Sequence, residues 1–149
     1  MSFASLADEL RAGPSSGSLG SLPYAAYLGL HYAVHGRELV ITMPYAEHLV
    51  GQPYPPRLHG GTVAGLLEIA ATATLLIRLP RDEPLPKVKP VNVTVDYLRA
   101  GQPQDTFAAA HVNRLGRRIA NLSVIAWQED REKPIATAHM NIMLDRAAT

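Results

Sequence analysis

Hydrophobic residues follow two different periodicities along this chain. Over residues 61–79 nearly every position is apolar, which predicts one long helix without a wide polar face, enclosed on several sides. Pro80 marks its end, because proline disfavours helical geometry at the residue before it. Residues 3–10 place apolar side chains at helical spacing, which predicts a short amphipathic N-terminal helix.

Alternation of apolar and polar residues predicts the strands. Residues 91–97 alternate valine and tyrosine with asparagine, threonine and aspartate. Residues 106–115, 118–128 and 135–144 also have strand character, and their order suggests an antiparallel meander. One face of the last strand is apolar and suited to lie against the long helix: Ala136, Ala138, Met140, Ile142 and Leu144.

Two other segments lack either periodicity. Residues 13–21 are rich in glycine, serine and proline, which predicts a flexible connection. Residues 45–58 contain three consecutive-loop prolines and predict an extended loop that leads into the long helix. Between these segments, residues 30–36 and 38–43 predict two short strands. The fold class is therefore α+β, in a single domain over residues 1–149 whose first 21 residues are partly flexible.

Composition refines this picture mainly by exclusion. The chain has 149 residues, of which 47% are hydrophobic and 18% are charged, the balance of one packed domain. It contains no cysteine, so disulfides, thiolate metal sites and thiol nucleophiles are excluded, and we expect no metal. A formal charge of +1 provides no general attraction for nucleic acid. The chain begins without a secretory pattern, and its longest apolar stretch is short for a membrane span, so we expect a cytoplasmic protein without a membrane partner.

Glu68 is the most informative residue for function. A carboxylate within an apolar helix is costly to bury in its charged form, so Glu68 either has a functional partner or faces solvent through a gap in the sheet. Just upstream, His59 and the pair Gly60-Gly61 stand at the helix start. Unpaired amides there, at the positive end of the helix dipole, can bind a polarised carbonyl or an oxyanion.

The spacing of these groups predicts a symmetric dimer. Gly60 and Glu68 are eight positions apart, which corresponds to roughly 12 Å along a helix. They cannot both contact one carbonyl group from the same chain. A site that needs both must therefore pair the helix start of one chain with Glu68 of another, and a two-fold axis would generate two such sites.

These residues carry a resemblance to a known family. The segment Leu-His-Gly-Gly at 58–61, Glu68 nine residues after His59, and Arg-Leu-Gly-Arg-Arg at 114–118 resemble the PaaI-like hotdog-fold thioesterases. The similarity covers roughly residues 28–144. It implies a hotdog fold, in which an antiparallel sheet wraps around the long helix, with acyl-CoA sites at a dimer interface. Coenzyme A is then part of the substrate, and no cofactor is implied.

The resemblance also implies roles for individual residues. Glu68 would be the general base or the nucleophile, and the Gly60 amide would polarise the thioester carbonyl with assistance from His59. Gln52 would match the family's upstream amide residue if the proline loop carries one extra residue, and Thr72 would match a Ser or Thr near the acid. The other implied substrate contacts are Gly61, Arg114, Arg117 and Arg118, with the arginines near the nucleotide end of CoA.

The leading hypothesis is thus an acyl-CoA thioester hydrolase that forms a homodimer or a dimer of dimers. A non-enzymatic acyl-CoA-binding regulator is the main alternative, and a hotdog dehydratase or hydratase is less favoured. The match of residues 13–17 to the G-x-S-x-G pattern of serine hydrolases lacks the strand and helix that this motif needs. His31 and His35 are interpreted as strand residues. Trp127 and the tyrosines at 24, 27, 45 and 54 are assigned to packing.

Overall fold

A computed structural model describes residues 3–146 of the chain. It contains three α-helices, one short 3₁₀ helix and nine strands within that range. The helices are α1 (Phe3–Ala12), α2 (Pro23–Leu28) and α3 (Gly60–Arg78). The strands are β1 (Ser16–Ser18), β2 (His31–His35), β3 (Glu38–Met43), β4 (Val50–Pro53), β5 (Pro56–Leu58), β6 (Lys87–Tyr97), β7 (Thr106–Leu115), β8 (Ile119–Trp127) and β9 (Ala136–Asp145).

Seven strands form one antiparallel sheet in the order β1-β2-β3-β7-β8-β9-β6. The predicted meander is present in β7, β8 and β9. Strand β6, which precedes them in the chain, pairs with β9 and forms the edge of the sheet. Pro90 is compatible with this position, because proline within sheets is confined to edges and bulges, and the β6–β9 register shifts between Pro90 and Asn92.

Helix α3 lies against the concave face of the sheet, as the sequence predicts. It contacts β3, β6, β7, β8 and β9, and the predicted apolar face of β9 is buried against it. The enclosure is incomplete, since a stripe of α3 remains accessible, formed by Gly61, Ala64, Gly65, Glu68 and Ile69. These residues recur at three- and four-residue intervals, so they share one side of the helix. The prediction of a helix without an open face is therefore only partly correct.

By length and composition, α3 is the one helix in the described part of the chain that could span a membrane. The core helix of a water-soluble domain passes the same test, and 61% of the relevant window of α3 is buried inside the protein. The end of α3 is fastened to α1 by Arg11, whose guanidinium donates to the carbonyl oxygens of Leu76, at 2.7 Å, and Leu79, at 2.9 Å. Arg11 thereby satisfies carbonyl groups that a helix C-terminus leaves unpaired.

Three short elements differ from the sequence-based expectations. Part of the segment expected to be flexible forms β1, which pairs with β2. Helix α2 was not predicted, because its six residues are too few to show a helical period; Pro23 begins it and Gly29 ends it with a left-handed φ of 70°. Residues 45–58 form the 3₁₀ helix Glu47–Leu49 and the hairpin of β4 and β5 instead of an extended loop.

The charged turn after β8 folds back over the outer face of the sheet. Arg131 lies 4.5 Å from the centroid of the Trp127 ring and donates two hydrogen bonds to the Glu38 carboxylate, at 2.6 and 2.9 Å. These hydrogen bonds hold the pKa of Glu38 below its usual value of 4.5. The ion pair thus connects β3 to the β8–β9 turn.

Replacing Glu38 with glutamine should lower stability at neutral pH only. A carboxylate whose pKa is depressed by folding stabilises the protein above its unfolded pKa and loses that effect as pH falls through the folded value. Because the pair is largely exposed, we expect a loss of less than about 1 kcal/mol at pH 7 and none near pH 3. Urea unfolding at both pH values measures this, with Glu129→Gln in the same turn as control. An equal loss at both pH values would contradict it.

Candidate functional site

A cleft of about 360 Å³ opens at the N-terminus of α3. Gly60 lies in it together with Gln52 from β4 and Tyr97 from β6. Arg57 and Arg99 add positive charge to its wall. The structure therefore brings together two of the residues that the sequence singled out, Gly60 and Gln52, although they belong to different elements.

His59 is the N-cap residue of α3. Its Nδ1 atom accepts a hydrogen bond of 2.8 Å from the backbone N–H of Gly61. A neutral imidazole that accepts at Nδ1 carries its proton on Nε2, so the second ring nitrogen is a donor. Glycine is needed at 61, since an added Cβ would lie 2.8 Å from Nδ1 of His59. The imidazole is thus held in one orientation by the start of the helix.

The two glycine amides differ in their availability. The Gly61 amide is occupied by His59, whereas the Gly60 amide has no acceptor among residues 3–146. It belongs to the first turn of α3, where backbone donors have no intrahelical partner and the dipole is positive. Of the two candidates, Gly60 is the amide that remains free to bind an oxygen atom.

Tyr97 is a residue of this cleft that the sequence analysis did not identify. Its hydroxyl donates a 2.9 Å hydrogen bond to the carbonyl oxygen of Gly60, and its ring would lie 3.3 Å from a Cβ at position 60. Tyr97 stands at the end of the edge strand and is about half exposed. Its place at the end of the alternating segment 91–97, directly before a loop, was the signal available in the sequence.

Glu68 lies in a different cleft, of about 260 Å³. Thr72, one helical turn further along α3, lines the same cleft, and its other walls come from α1, α2 and the segment between β1 and α2. No residue lines both this cleft and the one at Gly60. Glu68 is exposed and forms no ion pair or hydrogen bond with the rest of the described chain. One protomer therefore keeps the carboxylate apart from the helix start.

The arginines of the β7–β8 hairpin lie at the other end of the sheet from Gly60. Arg117 and Arg118 line a third cleft, of about 410 Å³, and Arg114 is exposed on the last turn of β7. This hairpin adjoins the beginning of β6, whereas Tyr97 ends that strand. Within one protomer, the arginines are thus separated from Gly60 by most of the length of β6, roughly 30 Å for its 11 residues.

The family model for the acyl-CoA thioesterase N-terminal domain matches residues 51–143 of the chain. The chain belongs to this family. The matched range includes His59, Gly60, Glu68 and the arginine hairpin, and it excludes α1 and α2. The PaaI-like resemblance read from the sequence is confirmed at the level of the thioesterase family, which supports acyl-CoA thioester hydrolysis as the general activity. A search of curated protein sequences found no match.

Solved structures agree with this family. A protein from Chromobacterium violaceum is 33% identical over 98% of both chains, with a TM-score of 0.70. A phenylacetic acid degradation-related protein from Ralstonia eutropha is 19% identical over 82% of this chain and 89% of its own, with a TM-score of 0.70. A Bacillus halodurans protein solved with CoA is 17% identical over 98% and 92%, with a TM-score of 0.74. The predicted hotdog fold of this thioesterase-family chain is confirmed.

Proposed function

We propose that the protein hydrolyses acyl-CoA thioesters at two equivalent sites formed between two copies of the chain. Gly60 and His59 of one protomer would bind the carbonyl oxygen, and Glu68 of the partner subunit would act on the carbonyl carbon. The observation that carries this proposal is the free Gly60 amide at the start of α3. It is a donor without an acceptor, in a cleft, beside an imidazole held with its Nε2 proton outward.

The chemistry follows from these groups. The Gly60 N–H and His59 Nε2–H would hold the thioester oxygen and stabilise the negative charge that it gains in the tetrahedral intermediate. Glu68 of the partner subunit would either take a proton from the attacking water or attack the carbon itself to give an anhydride that water then opens. In either case the C–S bond breaks, the CoA thiolate leaves and takes up a proton, and a carboxylic acid is released. No cofactor is required.

The exposed edge strand supports a second copy as the partner. Val91, Val93, Tyr97 and Leu98 are each between 44% and 56% exposed along or beside β6. Val93 and Tyr97 pair with the buried residues Met140 and Ala136 of β9, so they lie on the sheet face that carries the core. A long edge strand with exposed apolar residues is a template for pairing with another strand.

Antiparallel pairing of β6 with its symmetry mate would also complete the site. The Tyr97 end of one β6 would then lie beside the Lys87 end of the other. The arginine hairpin of the partner subunit would thereby approach the Gly60 cleft, where it could bind the phosphates of CoA. The two α3 helices would run antiparallel, as the separation of Gly60 and Glu68 requires. We place this dimer in the cytoplasm.

Release of free CoA tests the proposed reaction. The purified protein is incubated with acyl-CoAs of increasing chain length and with aryl-CoAs, and new thiol is measured with a thiol reagent. Because the chain has no cysteine, any thiol detected is product. We expect release well above the rate in buffer. Binding of acyl-CoA without release would instead support the regulator, and addition of water to a 2-enoyl-CoA would support the hydratase.

A charge on the inner face of β6 should dissociate the dimer and abolish activity. Val93→Asp would place a carboxylate in the proposed interface, where it would be desolvated without a partner. Thr94→Asp, on the opposite face of the same strand, is the matched control and should remain dimeric and active. Light scattering measures the mass, and circular dichroism checks the fold. A fully active wild-type monomer would overturn the two-chain site.

A further inference from the structure

The cleft that contains Glu68 has a wall that the matched thioesterase domain does not supply. Phe3 and Leu6 of α1 and Tyr24 of α2 form this wall, and all three precede residue 51, where the family match begins. Opposite them are Ile69 and Thr72 of α3. Apart from Glu68 at one side, the surface is almost entirely apolar, which suits a hydrocarbon group better than a charged one.

Tyr24 is held across α3 by the absence of a side chain at Gly65. A Cβ at position 65 would lie 2.7 Å from Cε1 of Tyr24, a distance that would force the ring away. Glycine inside a helix costs about 1 kcal/mol relative to alanine, so the close approach of the ring comes at the expense of helix stability. Gly65 stands one turn before Glu68 on the accessible stripe of α3, which brings the Tyr24 ring near the carboxylate.

The position of Tyr24 is reinforced from its outer side. Its ring stacks on Tyr27, with centroids 6.2 Å apart and planes inclined by 11°. Tyr27 in turn meets the edge of His48, at 4.8 Å, and Nε2 of His48 lies 2.7 Å from the carbonyl oxygen of Tyr27. The row of three rings joins α2 to the 3₁₀ helix before β4. Tyr24 is therefore a supported wall of the cleft, although half of its surface is exposed.

We propose that residues 3–25 form the pocket for the acyl group, and that Tyr24, seated on Gly65, sets the largest acyl group accepted. This inference rests on the proposed thioesterase function. The cleft measures about 260 Å³. At about 30 Å³ for each atom of the size of a water molecule, it holds roughly eight or nine non-hydrogen atoms. The preferred substrates are therefore acyl-CoAs with short or medium acyl groups, up to about eight carbons.

Binding of non-hydrolysable S-alkyl-CoA thioethers tests the pocket without relying on turnover. Calorimetry with ethyl to hexadecyl thioethers should show affinity that rises with chain length up to about octyl and no further in the wild type. In Tyr24→Ala the limit should move to longer chains, with dodecyl-CoA gaining about tenfold in affinity. Tyr24→Phe keeps the ring and should behave as wild type. Tyr54→Ala, which removes a tyrosine that is 91% exposed and lines neither cleft, is the distant control.

Two results would overturn the proposal. One is a chain-length series for Tyr24→Ala that coincides with that of the wild type, and the other is a wild-type series without a limit. Tyr24→Leu provides a second enlarged pocket if the alanine variant does not fold. Failure of the proposed hydrolysis is a separate result, because it would be seen as absence of CoA release from thioesters whatever the thioether series shows.

Discussion

Replacing Glu68 with glutamine should reduce kcat for thioester hydrolysis by about 10³-fold or more. The amide has the shape of the carboxylate but can neither accept a proton from water nor attack a carbonyl carbon, and removal of a general base commonly costs a factor of 10² to 10⁴. Because Glu68 is exposed in the protomer and has no partner in the described chain, the variant should fold normally. Initial rates of CoA release with saturating substrate measure the effect.

Asp82→Asn serves as the matched control for this variant. Asp82 is an exposed carboxylate in the loop after α3 and lines none of the three clefts described above. Its replacement removes the same charge and should leave kcat unchanged. Thermal unfolding and affinity for an S-alkyl-CoA thioether should be close to wild type in both variants. A Glu68→Gln enzyme that retains more than about a tenth of wild-type kcat would show that the carboxylate is not the catalytic group.

Replacing Gly60 with proline should lower kcat by about 10² to 10³-fold, the usual cost of removing one oxyanion donor. Proline deletes the backbone N–H at 60 and otherwise suits the position. It is favoured in the first turn of a helix, and His59 before it already has the extended ψ of 129° that a residue preceding proline adopts. The substitution therefore removes a single hydrogen-bond donor while the start of α3 is preserved.

Gly60→Ala separates loss of the donor from the added bulk. It introduces the same Cβ, 3.3 Å from the exposed ring of Tyr97, and keeps the N–H. The alanine variant should stay within a few-fold of wild-type kcat, and the proline variant should not. Equal activity in the two would exclude the Gly60 amide as the oxyanion donor.

The two inactive variants should restore each other when they are mixed. A heterodimer of Glu68→Gln and Gly60→Pro has one site with both native groups and one site with neither. Random reassembly from equal amounts makes half of the dimers mixed, so about a quarter of wild-type activity should return. Co-refolding from urea followed by the CoA assay measures it. No recovery in mixed dimers confirmed by mass would mean that each chain carries a complete site.

The sequence was sufficient where function depends on local pattern. Alternation located β7, β8 and β9 to within a residue or two, and the glycines beside His59 identified the start of α3. The place of β6 at the sheet edge could not be read, because strand order depends on pairings between distant segments. Tyr24 was assigned to packing for the same reason: only the fold shows that α2 crosses Gly65. The 12 Å separation of Gly60 and Glu68 followed from helix geometry alone, since both lie on one regular element.

The tie between Arg11 and the last carbonyls of α3 gives the two parts of the molecule different evolutionary freedom. It anchors α1 to the helix that carries Glu68, although these segments are some 60 residues apart in the chain. The first helices can therefore vary in sequence while remaining seated on an unchanged catalytic core. A related enzyme could acquire a new substrate range by exchanging only its N-terminal quarter, and a chimera that grafts residues 3–28 from another family member would transfer that range with it.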